Sequence, residues 1–426
     1  MTGALIALAA LAFLAGGAQP AAAGEPDPTA PAYEVALTGT DGGMRWTGRE
    51  TISFSNPGAV PLERVWVRLW GNGGWGCRGK RHVRIANVTG AVAGVPKVFC
   101  SAVPLRLAAP LAPGARGFVS FDVDVRVPDR PGRFGRRGRL ALLSNALPAL
   151  AHREGGRWRL DRYYPGGEAW TYPAADWTVR LDAPAGVSVA APGVPQPDGS
   201  RRLEHGRDYS FAAGRLRSVA ATIGGVAVTV WGPVGARRTT LAKVLRIARK
   251  RLPRLSAEFG PYGWPDLQIV VTGDAAMEHT GLIMTPPLDF VVTHELAHEW
   301  WYALIGNDQA AAPWLDEGFA TYAEEVTGPD RSPWCRRSGP GARLVTRGTA
   351  FFRARDYDGY GLVYSQGACL LDLLRKRIGR ERFRTALRDY ALANRYGWST
   401  GAEFRAAMDA ASPEPLGDLW RRYRVR

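Results

Sequence analysis

Two histidines enclose a glutamate in the segment His294-Glu295-Leu296-Ala297-His298. Residues four apart lie on one face of a helix, about one turn from each other, so both imidazoles can reach a single metal ion. Glu317 follows after eighteen intervening residues, at the predicted start of a second helix. A catalytic zinc needs three protein ligands and an open fourth position. His294, His298 and Glu317 form such a set, so the sequence predicts a site for one Zn²⁺.

The predicted site suits hydrolysis by a metal-activated water. Zinc is a Lewis acid that lowers the pKa of a bound water to about 7. Glu295, between the two histidines, is placed to take the proton of that water and pass it to a leaving amine. Glu324 lies two turns after Glu317 on the same helical face. It is either a carboxylate that orients a ligand histidine or a solvated side chain.

The residues around these ligands resemble a known family. His294-Glu295-Leu296-Ala297-His298-Glu299-Trp300-Trp301 and Trp314-Leu315-Asp316-Glu317-Gly318-Phe319-Ala320 are similar to the zinc aminopeptidases of the aminopeptidase N family, which are gluzincin metallopeptidases. The opening half of the chain is also of the family's kind. The resemblance is to a short form, without the large C-terminal helical-repeat domain of many members.

Two further segments carry the same resemblance. Ala276-Met277-Glu278-His279-Thr280-Gly281 resembles the family's Gly-x-Met-Glu-Asn segment, which implies that Glu278 holds the free α-amine of the substrate. Val363-Tyr364-Ser365-Gln366-Gly367-Ala368 resembles the family's Tyr-x-Lys-Gly segment, which implies that Tyr364 stabilises the oxyanion. The alternatives are an ordinary glutamate at a strand end and a tyrosine in the core.

The chain also departs from the family's pattern at three positions. Ala275 stands where the family usually has Gly, His279 where it has Asn, and Gln366 where it has Lys. None of these positions supplies a metal ligand or the general base. The departures therefore bear on substrate preference and on strict aminopeptidase action.

The hydrophobic patterning divides the chain into two parts after a short leader. Short alternating segments between Gly, Pro, Asn and Asp residues predict an antiparallel β-sandwich domain over residues 24–232. Residues 233–426 carry helical periodicity, including a metal-binding helix from about Phe290 to Ile305. The resemblance implies that this second part is a thermolysin-like, mainly helical zinc-peptidase domain. The expected fold class is α+β.

Residues 1–23 have the apolar run and small-residue cleavage site of a secretory signal, although no basic residue precedes the run. We expect an exported protein, with an uncleaved N-terminal anchor as the alternative. Four cysteines fit an oxidising compartment. Cys77 could pair with Cys100 and Cys335 with Cys369, but four cysteines allow three pairings and the sequence does not choose between them.

The net charge of +16 comes mainly from arginine, since only five of the 55 basic residues are lysines. The arginines are scattered, which favours a solvated surface with weak attraction to anionic envelope polymers and gives no indication of nucleic-acid binding. Peptides are the expected substrates. The alternatives to an aminopeptidase are a zinc endopeptidase with the same machinery and a non-catalytic module that binds peptides or envelope polymers. The sequence does not indicate an oligomeric state.

Overall fold

The computed structural model describes residues 29–154, 156–164, 166–168, 170, 172–327, 340–356 and 359–426. The predicted leader, residues 1–23, lies outside the described residues. The strands are β1 (Thr29–Thr40), β2 (Arg45–Ser55), β3 (Leu62–Arg68), β4 (Val83–Thr89), β5 (Ala91–Ala93), β6 (Ala102–Leu111), β7 (Arg116–Arg126), β8 (Phe134–Arg137), β9 (Leu140–Leu143), β10 (Ala149–Leu150), β11 (Arg153–Glu154), β12 (Arg157–Trp158), β13 (Ala175–Asp182), β14 (Ser188–Ala190), β15 (Val194–Pro195), β16 (Arg201–Gly206), β17 (Phe211–Gly214), β18 (Leu216–Ile223), β19 (Val226–Pro233), β20 (Asp266–Val271), β21 (Met277–His279) and β22 (Leu282–Thr285). The helices are α1 (Arg238–Phe259), α2 (Asp289–Ala297), α3 (Glu317–Thr327), α4 (Thr349–Arg353), α5 (Gly361–Ile378), α6 (Arg380–Ala393), α7 (Gly401–Ala411) and α8 (Gly417–Tyr423).

The first half of the chain is built of β-sheets. The largest has seven strands in the order β15-β16-β13-β1-β2-β7-β4, and two four-stranded sheets accompany it. Alternation along β1 buries Tyr33, Val35 and Leu37 while Glu34 faces solvent, as a half-buried strand requires. Most pairs are antiparallel, but β1 and β13 run parallel. The predicted α+β class, β-rich first and mainly helical second, is confirmed.

A five-stranded sheet, in the order β18-β19-β20-β22-β21, joins the two halves of the chain. Strands β18 and β19 form a hairpin, and β20 then adds parallel to β19 after the intervening helix α1. The predicted boundary between residues 232 and 233 falls within β19, so this sheet spans it. That boundary stays a prediction. The edge strand β21 carries Glu278 to the side of the sheet where α2 packs.

The predicted metal-binding helix is shorter and less regular than its sequence pattern indicates. Helix α2 ends at Ala297, and a π-helix follows over Glu299–Leu304. Inside that π-helix, Trp301 and Tyr302 leave helical backbone angles. All six of its residues are buried, so tertiary packing overrides the local helical propensity here. The two histidines remain one turn apart because the irregular turn begins after His298.

Helices α3 and α5 cross at a pair of glycines. A Cβ atom built on Gly318 would lie 2.9 Å from the Cα atom of Gly367, so neither position has room for a side chain. Close backbone approach of this kind is a use for which glycine is suited. The crossing brings the first turn of α5, with Tyr364, against the first turn of α3, with Glu317.

Cys77 and Cys100 form a disulfide that closes a loop in the β-rich half of the chain. Cys369 is a buried free thiol in α5, and Cys335 lies outside the described residues. No helix in the described parts of the chain has the length and apolarity needed to cross a membrane.

Candidate active site

The structure brings His294, His298 and Glu317 together. Glu317 Oε2 lies 3.1 Å from His294 Nε2 and 3.5 Å from His298 Nε2. His294 is in the last turn of α2, His298 is the residue that caps it, and Glu317 begins α3. Two imidazole nitrogens and one carboxylate oxygen that converge on one place are a donor set that suits zinc. These residues would hold the metal.

Each histidine contacts a further carboxylate through its Nδ1 atom. His294 Nδ1 lies 2.7 Å from Glu324 Oε1, and His298 Nδ1 lies 2.6 Å from Asp316 Oδ1. These contacts leave both Nε2 atoms directed at the place where the metal would bind. The sequence left two interpretations of Glu324 open, a carboxylate that orients a histidine or a solvated side chain. The structure places its carboxylate against His294. Asp316 was missed, although it directly precedes Glu317.

Burial and hydrogen bonds act in opposite directions on the pKa values of His294 and Glu317. Burial opposes the charged form of His294, but hydrogen bonds to Glu317 and Glu324 outweigh burial and raise its pKa to about 10. Burial also opposes the charge of Glu317, whose pKa is nevertheless held well below its ordinary value by hydrogen bonds from the two histidines. Glu317 is therefore anionic and available as a ligand.

Glu295 is buried on α2, 4% exposed, between the two histidines. Its Oε2 atom has no hydrogen-bond partner within the described parts of the chain. Burial raises the pKa of Glu295, the charges of the two histidines oppose that rise, and the pKa is about 7. A free carboxylate oxygen beside the predicted metal ligands is what a general base for a water requires.

Tyr364 reaches the same place from α5. Its hydroxyl donates a hydrogen bond of 2.6 Å to Glu317 Oε1, and its ring stacks beside that of His294 at 5.8 Å between centroids. The side chain is only partly buried and lines an open cleft together with His294 and Glu324. A phenol at the edge of the metal site can donate to an oxyanion there.

Glu278 is buried on the edge strand β21, 3% exposed, near Glu295 and His298. Its Oε1 atom has no hydrogen-bond partner in the portion that the structure describes. Burial raises the pKa of Glu278 well above its ordinary value, and the charge of His298 opposes that rise. An incoming ammonium group would supply the cation and the donors that this carboxylate lacks.

Sequence reasoning missed a second buried carboxylate at this place. Glu168 accepts a hydrogen bond of 2.8 Å from Arg133, and its Oε2 atom has no partner among the described residues. Burial raises the pKa of Glu168 to about 8. The positive charge of Arg133 opposes this rise, and the negative charge of Glu317 adds to it. The signal available in the sequence was the segment Gly167-Glu168-Ala169-Trp170, which resembles part of the family's opening domain.

His279, which stands where the family usually has Asn, takes part in a buried network of hydrogen bonds. His279 Nδ1 lies 2.5 Å from Asp208 Oδ2, and its Nε2 lies 2.8 Å from the Ser144 hydroxyl. Asp208 also accepts from the backbone N–H of Thr280, so the end of β21 is tied to the β-rich half of the chain. This network positions the backbone of the neighbouring Glu278. Gln366, the other altered residue near the site, is buried in α5.

Removing either supporting carboxylate is expected to weaken zinc binding without abolishing it. Asp316→Asn and Glu324→Gln keep the shape of each side chain but remove its charge, so each should lower zinc affinity by about 10–100-fold. Competition with a chromophoric chelator measures that affinity. Of the two, Asp316→Asn should have the larger effect, because Asp316 is fully buried whereas Glu324 is partly exposed. Unchanged affinity in both variants would contradict this role.

No family model matches the chain. Among curated proteins, the chain is 27% identical over 236 residues to aminopeptidase M1-B of Oryza sativa subsp. japonica, covering 47% of this chain and 27% of that protein. It is 25% identical over 250 residues to aminopeptidase N of Lactobacillus delbrueckii subsp. lactis, covering 49% and 30%. The chain therefore matches less than a third of the length of these relatives.

Solved structures match over nearly the whole chain. An M1 zinc metallopeptidase from Deinococcus radiodurans superposes with a TM-score of 0.65 at 21% identity, covering 95% of this chain and 94% of that one. A variant of it bound to a Tyr-Ser-Ala substrate gives a TM-score of 0.66 at 22% identity, with the same coverage. A two-domain M1 zinc metallopeptidase variant bound to L-tryptophan gives 0.64 at 20% identity, covering 95% of both chains.

The fold is therefore that of the two-domain M1 zinc metallopeptidases. The resemblance to the aminopeptidase N family, read from the motifs, is confirmed by the relatives found in both comparisons. The expectation of a zinc cofactor agrees with the same neighbours.

Proposed function

We propose that this chain is an exported, zinc-dependent aminopeptidase that removes N-terminal residues from peptides. The observation that carries the proposal is Glu278, a buried carboxylate with an unpartnered oxygen. One carboxylate oxygen of Glu278, one of Glu295 and one ring nitrogen of His298 all lie within 4.8 Å of one another. An ammonium group held by Glu278 would place the first peptide bond of the substrate, rather than an internal one, beside the metal ligands.

The residues of the chain have separate tasks in this reaction. Zinc, when bound by His294, His298 and Glu317, would polarise the scissile carbonyl and activate the attacking water. Glu295 takes the proton of that water and delivers it to the departing amine. Tyr364 donates a hydrogen bond to the carbonyl oxygen as negative charge develops on it.

Glu278 and Glu168 hold the substrate's ammonium group. Both are buried, and each retains a carboxylate oxygen that has no partner in the described structure. A charge-assisted bond to an ammonium would satisfy these oxygens and fix the register of the peptide against the metal ligands. The open cleft lined by His294, Glu324 and Tyr364 can receive the leaving part of the peptide.

Blocking the substrate's amine is expected to abolish cleavage. A peptide with a free N-terminus should be cleaved and its acetylated counterpart should not, because acetylation removes the charge that Glu278 recognises. Glu278→Gln should lower kcat/KM for the free peptide by about 10–100-fold, the loss of one charge-assisted hydrogen bond. Equal cleavage of the acetylated peptide, followed by mass spectrometry, would support the endopeptidase alternative instead.

Export is proposed from the apolar run and small-residue site of residues 1–23, and the disulfide between Cys77 and Cys100 supports it. Sequencing the N-terminus of the protein recovered outside the cytoplasm tests it, with Gly24 as the expected first residue. An intact Met1 on membrane-associated protein would indicate the uncleaved anchor. Weak attraction of the arginine-rich surface to anionic envelope polymers is part of the proposal.

A further inference from the structure

A cleft lined by aromatic and basic side chains lies in the β-rich half of the chain. Its volume is about 300 Å³. The described residues that line it include no aspartate or glutamate. Its lining includes Trp75, Arg130, Arg133, Asn145 and Trp170.

The cleft is connected to the proposed amine-binding carboxylates through one of its lining residues, Arg133. Arg133 lines the cleft and donates to Glu168. Burial opposes the charge of Arg133, but its guanidinium also lies close enough to Glu278 for that carboxylate's charge to raise the pKa of Arg133, as the charge of Glu168 does. The α-amine and the side chain of an amino acid are attached to the same carbon atom. A substrate whose amine is held by Glu278 and Glu168 therefore has its first side chain beside this cleft.

Buried polar groups in the wall of the cleft lack partners. Asn145 is 5% exposed, and both polar atoms of its side-chain amide have no partner among the described residues. Trp170 is 3% exposed, and its indole N–H is unpartnered in the same sense. Leaving buried N–H donors unsatisfied is unfavourable, and a ligand with acceptor atoms would satisfy the amide N–H of Asn145 and the indole N–H of Trp170.

The charged side chains that line the cleft, Arg130 and Arg133, are both basic. The Arg130 guanidinium lies 3.8 Å from the centre of the Trp75 ring. The neighbouring Asp129 accepts a hydrogen bond from Arg136 and not from Arg130. Burial lowers the pKa of His82, which contacts Trp75, and the charges of Arg130 and Lys80 lower it further. Arg133, by contrast, is neutralised by Glu168. Arg130 is thus the basic group that remains for a ligand.

We infer that this cleft receives the side chain of the substrate's first residue and favours an acidic one, glutamate or aspartate. The inference rests on the proposed aminopeptidase function and names its substrate class. Arg130, with the N–H donors of Asn145 and Trp170, would bind the side-chain carboxylate. The aromatic rings would cover its methylene groups.

Two reporter substrates that differ only in charge test this inference. Aminoacyl reporters of glutamate and glutamine have the same shape, and the glutamate reporter should be cleaved with a kcat/KM at least about tenfold higher. Arg130→Gln should remove most of that preference. Arg130→Glu should reverse it and raise the relative cleavage of lysine reporters. Asn145→Asp, which keeps the shape of the side chain, should also reduce the preference.

Arg395→Gln is the matched control, since Arg395 is another exposed arginine against an aromatic ring and lies outside the lining of the cleft. It should keep the wild-type preference. Equal cleavage of the glutamate and glutamine reporters would overturn the inference while leaving the proposed function intact. If neither reporter is cleaved, the proposed function fails, and calorimetry with free L-glutamate and L-glutamine decides the inference. Tighter binding of L-glutamate would support it, and equal binding would overturn it.

Discussion

Glu295→Gln is expected to lower kcat/KM by about 10²–10⁴-fold, the range that a positioned general base contributes. The substitution keeps the size of the side chain but removes its ability to take a proton from water. Zinc content should stay at the wild-type level, because Glu295 is not one of the three converging ligands. Steady-state cleavage of a free-amine reporter and metal analysis of the same preparation measure both quantities.

Glu34→Gln is the matched control for this prediction. Glu34 is an exposed glutamate on β1, in the β-rich half of the chain, and the same change there should leave activity at the wild-type level. If Glu295→Gln left every measured function unchanged, the chain would be a non-catalytic binding module. Loss of zinc together with activity in Glu295→Gln would instead indicate a structural defect in α2.

Glu317→Gln is expected to reduce zinc content from about one ion per chain to nearly none, and activity with it. Both histidine Nε2 atoms face the same carboxylate oxygen, and neutral histidines alone would leave the charge of the metal uncompensated. Inductively coupled plasma mass spectrometry of the dialysed protein measures the metal. Circular dichroism checks that the variant is folded.

The same helix offers a control for this second prediction. Glu325 lies on α3, is partly buried and is not part of the ligand set. Glu325→Gln should retain zinc and activity. Full zinc occupancy in Glu317→Gln would show that the third ligand is a different residue, and Glu278 would be the first to test because its carboxylate also lies near His298.

The sequence determined the features that depend on local spacing. Two histidines four apart share a helical face whatever surrounds them, so the pair and the intervening Glu295 follow from the residues alone. Alternating apolar residues in short segments indicated β-sheets, and helical periodicity indicated the second half. Motifs with several matching residues predicted Glu317, Glu278 and Tyr364 as members of one site.

The end of the metal-binding helix could not be predicted, because burial replaces local propensity there. The pattern from Phe290 to Ile305 is compatible with one continuous helix, yet α2 ends at Ala297 and a π-helix follows. Packing of buried tryptophans in that turn depends on neighbours distant in sequence, such as Phe259. No pattern within a single segment contains that information.

Only the tertiary structure decided which side chains support the site. Asp316 is ordinary in sequence and becomes a partner of His298 because α3 folds back against α2. Glu168 and Arg133 lie more than a hundred residues before Glu317 in the sequence. The fold places Glu168 close enough to Glu317 for the two carboxylates to interact, and Arg133 donates to Glu168. The sequence by itself therefore predicted that the two histidines and Glu295 share one helix, because their spacing is local. The convergence of Glu317 with the histidines, the proposed pairing of Glu278 with Glu168, and the cleft beside them required the fold, because these contacts join distant segments.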